Sequence, residues 1–249
     1  LSALNKLAEL VQAGDYVYIH YSGRDQAIAT DDLHEGDGLE ETLFVYDSKP
    51  SDRNTLITHR ELVDILRKID QRGAQVVLFL DTCRAGSGYL CRHDLGDMLV
   101  IATSHEAEQS YEGVIGNSRA GYASYFLAEA MKKYQPGMTW AEVFDTIYVN
   151  VKAKQPNQTP QLIGPRDLCV FSEEHKAVVP YLLVTEATGN EIKVIAHPAL
   201  MIEPGARLAL FPPGSDMSGL PIHQATVHSV AQESVTATLE SLYQQQPSQ

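Results

Sequence analysis

One cysteine stands where an apolar run of strand length comes to an end. The run Val76–Leu80 is followed directly by Asp81, Thr82 and Cys83, and then by a turn that contains Gly86. Buried strands of parallel sheets place reactive side chains at such carboxyl ends. A cysteine in that position can act as a nucleophile once its thiol is ionised. The pattern therefore predicts a nucleophilic thiol at Cys83, with backbone N–H groups of the following turn as oxyanion donors.

A second strand-like run ends in a similar way and brings a cation to the same region. The run Asp15–Tyr21 is followed by Ser-Gly-Arg-Asp, in which the arginine is Arg24. Arginine stays protonated in proteins, so Arg24 cannot serve as the general base that takes the proton of a thiol nucleophile. Its charge can lower the pKa of a nearby thiol and so favour the thiolate of Cys83. The two strand ends thus predict a reactive cysteine without a proton shuttle.

The elements around these strand ends predict an α/β fold. An amphipathic helix over residues 2–13 precedes the first run, and a helix with the capping-box residues Thr58 and Glu61 precedes the second. Strands separated by a helix in this way predict parallel strands joined by a right-handed crossover. The remaining predicted elements are a short extended piece at Leu43–Tyr46, a strand at Leu99–Thr103, helices over residues 119–133 and 139–153, a Pro-rich loop at Asn157–Pro165 and a final strand at Leu168–Phe171.

The chain changes character after about residue 174. From Val178 onward, short β-type runs alternate with turn residues such as Pro212-Pro213-Gly214, and no helical period is present. The sequence therefore predicts two domains. They are an α/β domain over residues 1–174 and a small β-rich domain over residues 175–249, whose last residues from Gln244 form a disordered tail.

The bulk composition argues against several classes of function. A net charge of −13 excludes nucleic acid as an expected partner, because phosphate binding requires a basic surface. No apolar run has the length of a membrane span, and no signal peptide is visible. The three cysteines form neither a disulfide framework nor a zinc site. Cys91 and Cys169 are therefore expected to be structural thiols in a reducing cytoplasm, which also keeps Cys83 free.

Five short motifs, in this order along the chain, resemble the metacaspase and bacterial orthocaspase family of caspase-like cysteine peptidases. They are Tyr21-Ser22-Gly23, Asp37-Gly38-Leu39-Glu40-Glu41 with Val45-Tyr46-Asp47, Asp81-Thr82-Cys83, Ala102-Thr103-Ser104 with Glu108-Gln109 and Glu112, and Gln158-Thr159-Pro160-Gln161-Leu162 with Gly164. The resemblance spans residues 1–171 and implies a mostly parallel sheet with helices on both faces. It also implies about two further strands before Leu1, so a missing N-terminal segment or a neighbouring chain is expected beside the sheet.

The resemblance implies a role for each candidate site residue. Cys83 takes the place of the catalytic nucleophile. Arg24 takes the place of the catalytic histidine, since the family's Ser-Gly-His-Gly reads Ser-Gly-Arg-Asp in this chain. Asp81 implies a pocket for a basic side chain at the position before the cleaved bond, with Ser104 as a second substrate-binding residue. The residues alone also favour a different interpretation, an ion pair between Asp81 and Arg24 at adjacent strand ends.

The resulting hypothesis is a pseudoprotease, or a strongly impaired peptidase, that acts as a binding or regulatory module. Its expected partner is a peptide or protein with a basic residue, or a regulatory protein. Neither nucleic acid nor a membrane is an expected partner. The alternative is an active cysteine endopeptidase that cleaves after Arg or Lys, with Cys83 as nucleophile and a substitute base. His20, His93 and His105 are the histidines near the strand ends. Loss of an acid–base partner costs about 100- to 10,000-fold in rate, which favours the first hypothesis.

No cofactor and no metal site are predicted. Residues 31–41 contain six acidic side chains and are predicted to form an exposed loop. Some members of the family that the chain resembles are activated by calcium, so calcium is the candidate ion for this acidic loop. The spacing does not follow the 12-residue pattern of an EF-hand, and a solvated acidic surface is the interpretation that the pattern favours.

Overall fold

The chain divides into two compact units, Leu1–Lys176 and Ala177–Gln249. The structure is a computed structural model. It describes residues 1–31, 38–83, 85, 95–105, 107–177, 181–195, 202–212, 217, 219–231 and 234–240. The first unit is a mixed α/β arrangement with a partly parallel sheet and several helices, as the order of elements in the sequence predicts.

A four-stranded sheet organises the first unit. Its strands lie in the order β1 (Tyr16–Ser22), β5 (Gln75–Asp81), β6 (Leu99–Ala102) and β9 (Gln161–Ile163). β1, β5 and β6 are parallel, and β9 runs antiparallel to β6. Because β5 has a strand on each side, it is buried from its second residue to its last, which explains its continuous apolar sequence.

Helices cover both faces of this sheet. The described helices are α1 (Ser2–Leu10), α2 (His59–Asp70), α3 (Tyr122–Met131) and α4 (Trp140–Lys154), and a short 3-10 helix lies at Arg53–Thr55. α1 and α2 share a core with Val17 and Ile19 of β1. The opposite face of β1 carries Tyr18, whose ring stacks on Trp140 at the start of α4. Each face of the parallel strands is therefore closed by a helical layer.

Two smaller sheets extend the first unit. One is antiparallel, in the order β2 (Asp25–Ala29), β3 (Leu39–Leu43) and β4 (Ile57–Thr58). The other is a hairpin of β7 (Glu112–Ile115) and β8 (Ser118–Gly121), which leads directly into α3. The helix predicted to begin at residue 119 begins at Tyr122 instead, since the residues before it pair with β7.

The segment after α4 differs from its prediction. A strand was predicted at Leu168–Phe171, within which no regular strand forms, whereas the predicted Pro-rich loop contains β9. Gly164 ends β9 with a φ of +102°, and a Cβ at this position would lie 2.2 Å from the carbonyl oxygen of Met98. Only glycine fits this close approach of two backbones, so β9 is fixed against the start of β6.

The second unit contains one antiparallel sheet among its described residues. The strands lie in the order β10 (Val184–Thr188), β11 (Glu191–Ile195), β14 (Ser234–Leu239), β13 (His223–Val230) and β12 (Arg207–Leu210). One face forms the core of the unit, which consists of Ile192, Val194, Ala225, Val227, Val235 and Ala237. Among the described residues of the whole chain, no helix combines the length and apolar character needed to cross a membrane.

Candidate functional site

Cys83 and Arg24 follow the ends of two neighbouring parallel strands. In the register of β1 and β5, Ser22 pairs with Asp81, and these are the last residues of the two strands. The amide of Gly23 donates a hydrogen bond to the carbonyl oxygen of Asp81 at 3.2 Å, which fixes one strand end against the other. Both residues therefore lie at the same edge of the sheet.

The residues next to Cys83 hold it from both neighbouring strands. Its Sγ donates to the carbonyl oxygen of Ser110 at 3.8 Å, a contact that favours the protonated thiol. The hydroxyl of Thr82 donates to Asp25 Oδ1 at 3.1 Å. The hydroxyl of Ser104 donates to the carbonyl oxygen of Thr82 at 3.2 Å. The cysteine is thus anchored by the start of β2 on one side and by the residue pair that follows β6 on the other.

The side chain of Ser104 holds the backbone at the end of β5. This side chain is fully buried, and its hydroxyl is directed at the Thr82 carbonyl. It therefore contributes to the site by positioning the backbone next to Cys83. The turn after Cys83, which was predicted to supply oxyanion donors, lies outside the described residues apart from Ala85.

The Asp81 carboxylate is a buried acceptor of four hydrogen bonds. Its Oδ1 accepts from the hydroxyls of Ser110 at 2.8 Å and Thr103 at 3.3 Å. Its Oδ2 accepts from the hydroxyl and the amide of Ser124 at 2.5 and 3.1 Å. Ser124 lies in the first turn of α3, so the carboxylate also caps the positive end of that helix. With 5% of its surface exposed, Asp81 joins a strand end, a loop and a helix.

The predicted ion pair between Asp81 and Arg24 is wrong. The Asp81 side chain extends toward α3, on the face of the sheet that carries His20. The carbonyl oxygen of Arg24 instead accepts from the Tyr21 hydroxyl and the Phe44 amide, on the side of the three-stranded sheet. Arg24 is exposed and makes no ion pair within the part of the chain that the structure describes. The cation and the carboxylate diverge because the turn after β1 folds toward β3.

A histidine on β1 is linked to Asp81 through Ser124. His20 Nε2 lies 3.0 Å from Ser124 Oγ, and His20 Nδ1 lies 3.3 Å from the hydroxyl of Tyr18. Partial burial lowers the pKa of His20 below its ordinary value, while the charge of Asp81 acts in the opposite direction. A continuous chain of hydrogen bonds therefore links four side chains, those of Tyr18, His20, Ser124 and Asp81.

Sequence reasoning missed Ser110 and Ser124, the two serines that hold Asp81. They follow Asp81 by 29 and 43 residues. A single serine in a loop or a helix belongs to no recognisable sequence motif, so neither contact could be predicted. One local signal was present at Gly121, directly before α3. A Cβ there would lie 2.1 Å from Asp81 Oδ2, so a glycine marks the point where helix and strand end meet.

The histidines considered as substitute bases have other environments. The ring nitrogens of His20 face Ser124 and Tyr18. His105 is exposed, and its amide donates to Glu108 Oε2. His93 lies outside the described residues, as does Cys91. Cys169 is buried, and this burial raises its pKa, so the thiol is held in the neutral form.

The last two acids of the segment 31–41 lie within β3 and are less exposed than predicted. Glu40 and Glu41 are 1% and 5% exposed, so the prediction of a solvated surface is wrong for these two residues. Glu40 Oε2 accepts from Arg53 at 3.0 Å and from Arg60 at 3.3 Å, which explains how its charge is tolerated. Residues 32–37, which carry the acids Asp32, Glu35 and Asp37, lie outside the described part of the chain.

The acidic residues that raised the question of calcium are only partly described. No cluster of three or more His, Cys, Asp or Glu side chains that could hold a metal ion occurs among the residues that the structure describes. Guanidinium groups, and not free carboxylates, surround the charged oxygen of Glu40.

Part of the chain is similar to a known protein family. Residues 1–90, which contain β1, α2, β5 and Cys83, match the family model of the metacaspase, peptidase C14 domain. Over these 90 of its 249 residues, the chain is similar to the metacaspase family. The metacaspase match extends to one curated relative, Metacaspase III c of Phaeodactylum tricornutum, with 34% identity over 88 residues. That alignment covers 35% of this chain and 25% of the length of the relative.

A solved structure is also similar to this chain. It is that of a Geobacter sulfurreducens protein, with 21% sequence identity and a TM-score of 0.49. The superposition covers 65% of this chain and 70% of the other.

Proposed function

We propose that this metacaspase-type chain is a pseudoprotease, or a strongly impaired peptidase, that acts as a binding or regulatory module. The observation that carries the proposal is the pair of strand ends, at which Arg24 follows β1 where Cys83 follows the adjacent β5. In this proposal, Arg24 occupies the position of the family's catalytic histidine. Because an arginine side chain stays protonated, it cannot accept the thiol proton, and acylation lacks its base.

The surroundings of the thiol support reduced nucleophilicity. The Sγ of Cys83 donates to the Ser110 carbonyl oxygen, which stabilises the neutral thiol. Asp25 follows Arg24 in the chain, and its carboxylate is bonded to the hydroxyl of Thr82, the residue before Cys83. A negative charge at this position opposes the effect of Arg24 on the thiol. The expectation that Arg24 alone favours the thiolate is therefore weakened.

The function retained in this proposal is the recognition of a basic side chain. Asp81 supplies the carboxylate. Within the described residues it has no ion-pair partner, and neutral donors and the N-terminal end of α3 balance its charge. The net charge of −13 also suits a basic partner better than nucleic acid. A peptide or protein segment that carries Arg or Lys is therefore the proposed ligand, or a regulatory protein that presents one.

A second contact is proposed along the outer edge of β1. Within the described residues β1 is the terminal strand of its sheet, and Tyr18 on this strand is 37% exposed. Unpaired strand edges readily accept another strand. We propose that a strand from a neighbouring chain, or from a segment outside the described residues, covers this edge. No cofactor enters the proposal, and the free thiols of Cys83 and Cys169 suit a reducing cytoplasm.

Two measurements test the proposed function. Fluorogenic peptides with Arg or Lys before the reporter should be hydrolysed no faster by the wild type than by the Cys83→Ala variant. Acetylated peptide amides that end in arginine should bind the wild type, and Asp81→Asn should abolish this binding. Cysteine-dependent hydrolysis at a robust rate would instead support the alternative, an active endopeptidase with a substitute base. Equal binding by wild type and Asp81→Asn would contradict the assignment of the ligand site.

A further inference from the structure

The hydroxyl of Ser124 lies between a carboxylate oxygen and an imidazole nitrogen. Its Oγ is 2.5 Å from Asp81 Oδ2 and 3.0 Å from His20 Nε2. A serine hydroxyl carries one proton, so it can donate to only one of these groups at a time. With Asp81 as the acceptor, His20 Nε2 must itself carry a proton and donate it to Ser124 Oγ.

The same reasoning extends to the other end of the imidazole. With a proton on Nε2, the neutral ring of His20 uses Nδ1 as an acceptor. The Tyr18 hydroxyl, 3.3 Å from Nδ1, is then the donor. The neutral ring is favoured because partial burial lowers the pKa of His20. All of the hydrogen bonds thus point in one direction, from Tyr18 through His20 and Ser124 to Asp81.

We propose that this chain of hydrogen bonds reverses when a cationic side chain binds to Asp81, and that Ser124 is the positioning residue that makes the carboxylate available. The inference rests on the proposed function, because it explains how a carboxylate that is 5% exposed can receive a ligand. The guanidinium or ammonium group of the ligand replaces the Ser124 hydroxyl at Oδ2. The hydroxyl rotates and donates to His20 Nε2, so Ser124 keeps a hydrogen bond without a backbone movement.

The reversal balances its protons. His20 gives up the proton on Nε2 to water and takes one from water at Nδ1, so its ring stays neutral. The Nδ1–H group then donates to the oxygen of Tyr18. The Tyr18 hydroxyl proton turns toward water, which its 37% exposure allows. Asp81 keeps the amide of Ser124 and the hydroxyls on its other oxygen, so α3 remains capped.

The tautomer of His20 reports the reversal directly. In the free protein, ¹⁵N NMR of the His20 ring should show the Nε2–H tautomer. Saturation with an acetylated tetrapeptide amide that ends in arginine should convert it to the Nδ1–H tautomer. The exposed ring of His105 serves as the internal control and should keep its shifts. A His20 ring that keeps its proton on Nε2 while the peptide is bound would overturn the proposal.

A double-mutant cycle provides the second test. Ser124→Ala removes the competing hydroxyl and should tighten peptide binding by about 3- to 10-fold, the range of one net hydrogen bond. His20→Phe removes the second acceptor and should weaken binding by a similar factor when Ser124 is present. The same change should have no effect in the Ser124→Ala background, whereas Ser124→Thr should restore the effect. An equal effect of His20→Phe in both backgrounds would contradict the reversal.

The outcomes separate this inference from the function on which it rests. Failure of the peptide to bind, or equal binding to Asp81→Asn, overturns the proposed function together with the reversal. Binding that requires Asp81 but leaves the His20 tautomer unchanged overturns the reversal alone. The NMR measurement uses the unaltered chain, so it decides the question even where a variant folds poorly.

Discussion

The backbone of Gly121 passes so close to Asp81 that a β-carbon on the glycine would lie 2.1 Å from Oδ2 of the carboxylate. Gly121 directly precedes α3, and the same oxygen accepts the hydroxyl and amide hydrogen bonds of Ser124 in the first turn. Asp81 Oδ2, at the end of β5, therefore holds the start of α3. Gly121 leaves room for this oxygen because it has no side chain.

Gly121→Ala should destabilise the first unit. The added methyl group displaces a carboxylate that four hydrogen bonds hold in place, and overpacking of this kind costs about 1–3 kcal/mol. Urea unfolding, followed by the fluorescence of Trp140, which is the only tryptophan of the chain, measures the loss. Gly113→Ala in the same hairpin is the matched control, since its Cβ would meet the hydroxyl end of the Tyr122 side chain. Equal losses for the two variants would contradict the close contact with Asp81.

Asp81→Asn should lower the free energy of unfolding by about 2 kcal/mol, because hydrogen bonds to a charged acceptor are the stronger ones. The asparagine amide also places its N–H groups opposite hydrogen-bond donors, so part of the contact is left without a hydrogen bond. The same urea experiment at pH 7 measures the change. Asp47→Asn, an exposed aspartate in the same unit, should change the free energy by less than about 0.5 kcal/mol. Comparable values for both variants would show that Asp81 is not a structural centre.

In the proposed function, Arg24 and Asp25 occupy the positions of the family's His-Gly pair, and restoring that pair should require two substitutions. Arg24→His supplies an imidazole, but Asp25 still places a carboxylate on the hydroxyl of Thr82 beside the thiol. Arg24→His alone should therefore give a small gain in hydrolysis of Arg-containing fluorogenic peptides. The double variant Arg24→His/Asp25→Gly should gain about 100-fold or more, the typical contribution of an acid–base group. Cys83→Ala in the double-variant background is the control and should remove the gain. A folded double variant without any gain would argue against the proposed role of position 24.

The charges beside Cys83 should act on its reactivity in opposite directions. Asp25→Asn removes a negative charge near the thiol and should speed alkylation by iodoacetamide at pH 7 by about 2- to 10-fold. Arg24→Gln should slow the same reaction. Mass spectrometry of the Cys83 peptide gives the rates, and the buried Cys169 provides an internal reference. Rates that respond to neither substitution would place both charges too far from the sulfur to matter.

His59 should make the stability of the first unit depend on pH. Complete burial lowers the pKa of His59 to about 4, whereas an unfolded histidine has a pKa near 6.5. Between these values the unfolded chain binds the proton and the folded chain does not, so stability falls as the pH is lowered through this window. The loss attributable to His59 should be on the order of 3 kcal/mol at pH 4.

Urea unfolding at pH 7.0 and pH 4.5 measures this loss. Carboxyl groups also titrate in the lower part of the window, so the difference between the wild type and His59→Gln isolates the histidine. The variant should be less sensitive to pH than the wild type. An unchanged sensitivity would show that His59 is not buried as a neutral ring.

The strand ends that carry Arg24 and Cys83 could be predicted because their signals are local. An apolar run of strand length precedes Cys83, and the capping box of Thr58 and Glu61 fixes the start of the helix before it. Helix, strand, helix and strand in that order leave few ways to connect a parallel sheet. The adjacency of the two ends then follows from the order of the elements.

The surroundings of Asp81 could not be predicted because they depend on contacts between distant parts of the chain. Ser124 reaches the carboxylate from a helix 43 residues later, and no periodicity in the sequence encodes that distance. The burial of Glu40 was missed for a related reason. An acidic run is normally solvated, but Arg53 and Arg60 approach Glu40 from the segments after β3 and neutralise it. Tertiary contacts overrode the local preference in both places.

The parallel pairing of β1 with β5 also has a consequence for how the chain folds. The three-stranded sheet and α2 lie between these strands, so their pairing must close a long loop, whereas a hairpin such as β7–β8 closes a short one. We expect the hairpins to form early and the strand ends of Arg24 and Cys83 to meet late. Until then the apolar segment Val76–Leu80 lacks its partner on the β1 side, so we expect it to be exposed to aggregation in a newly made chain.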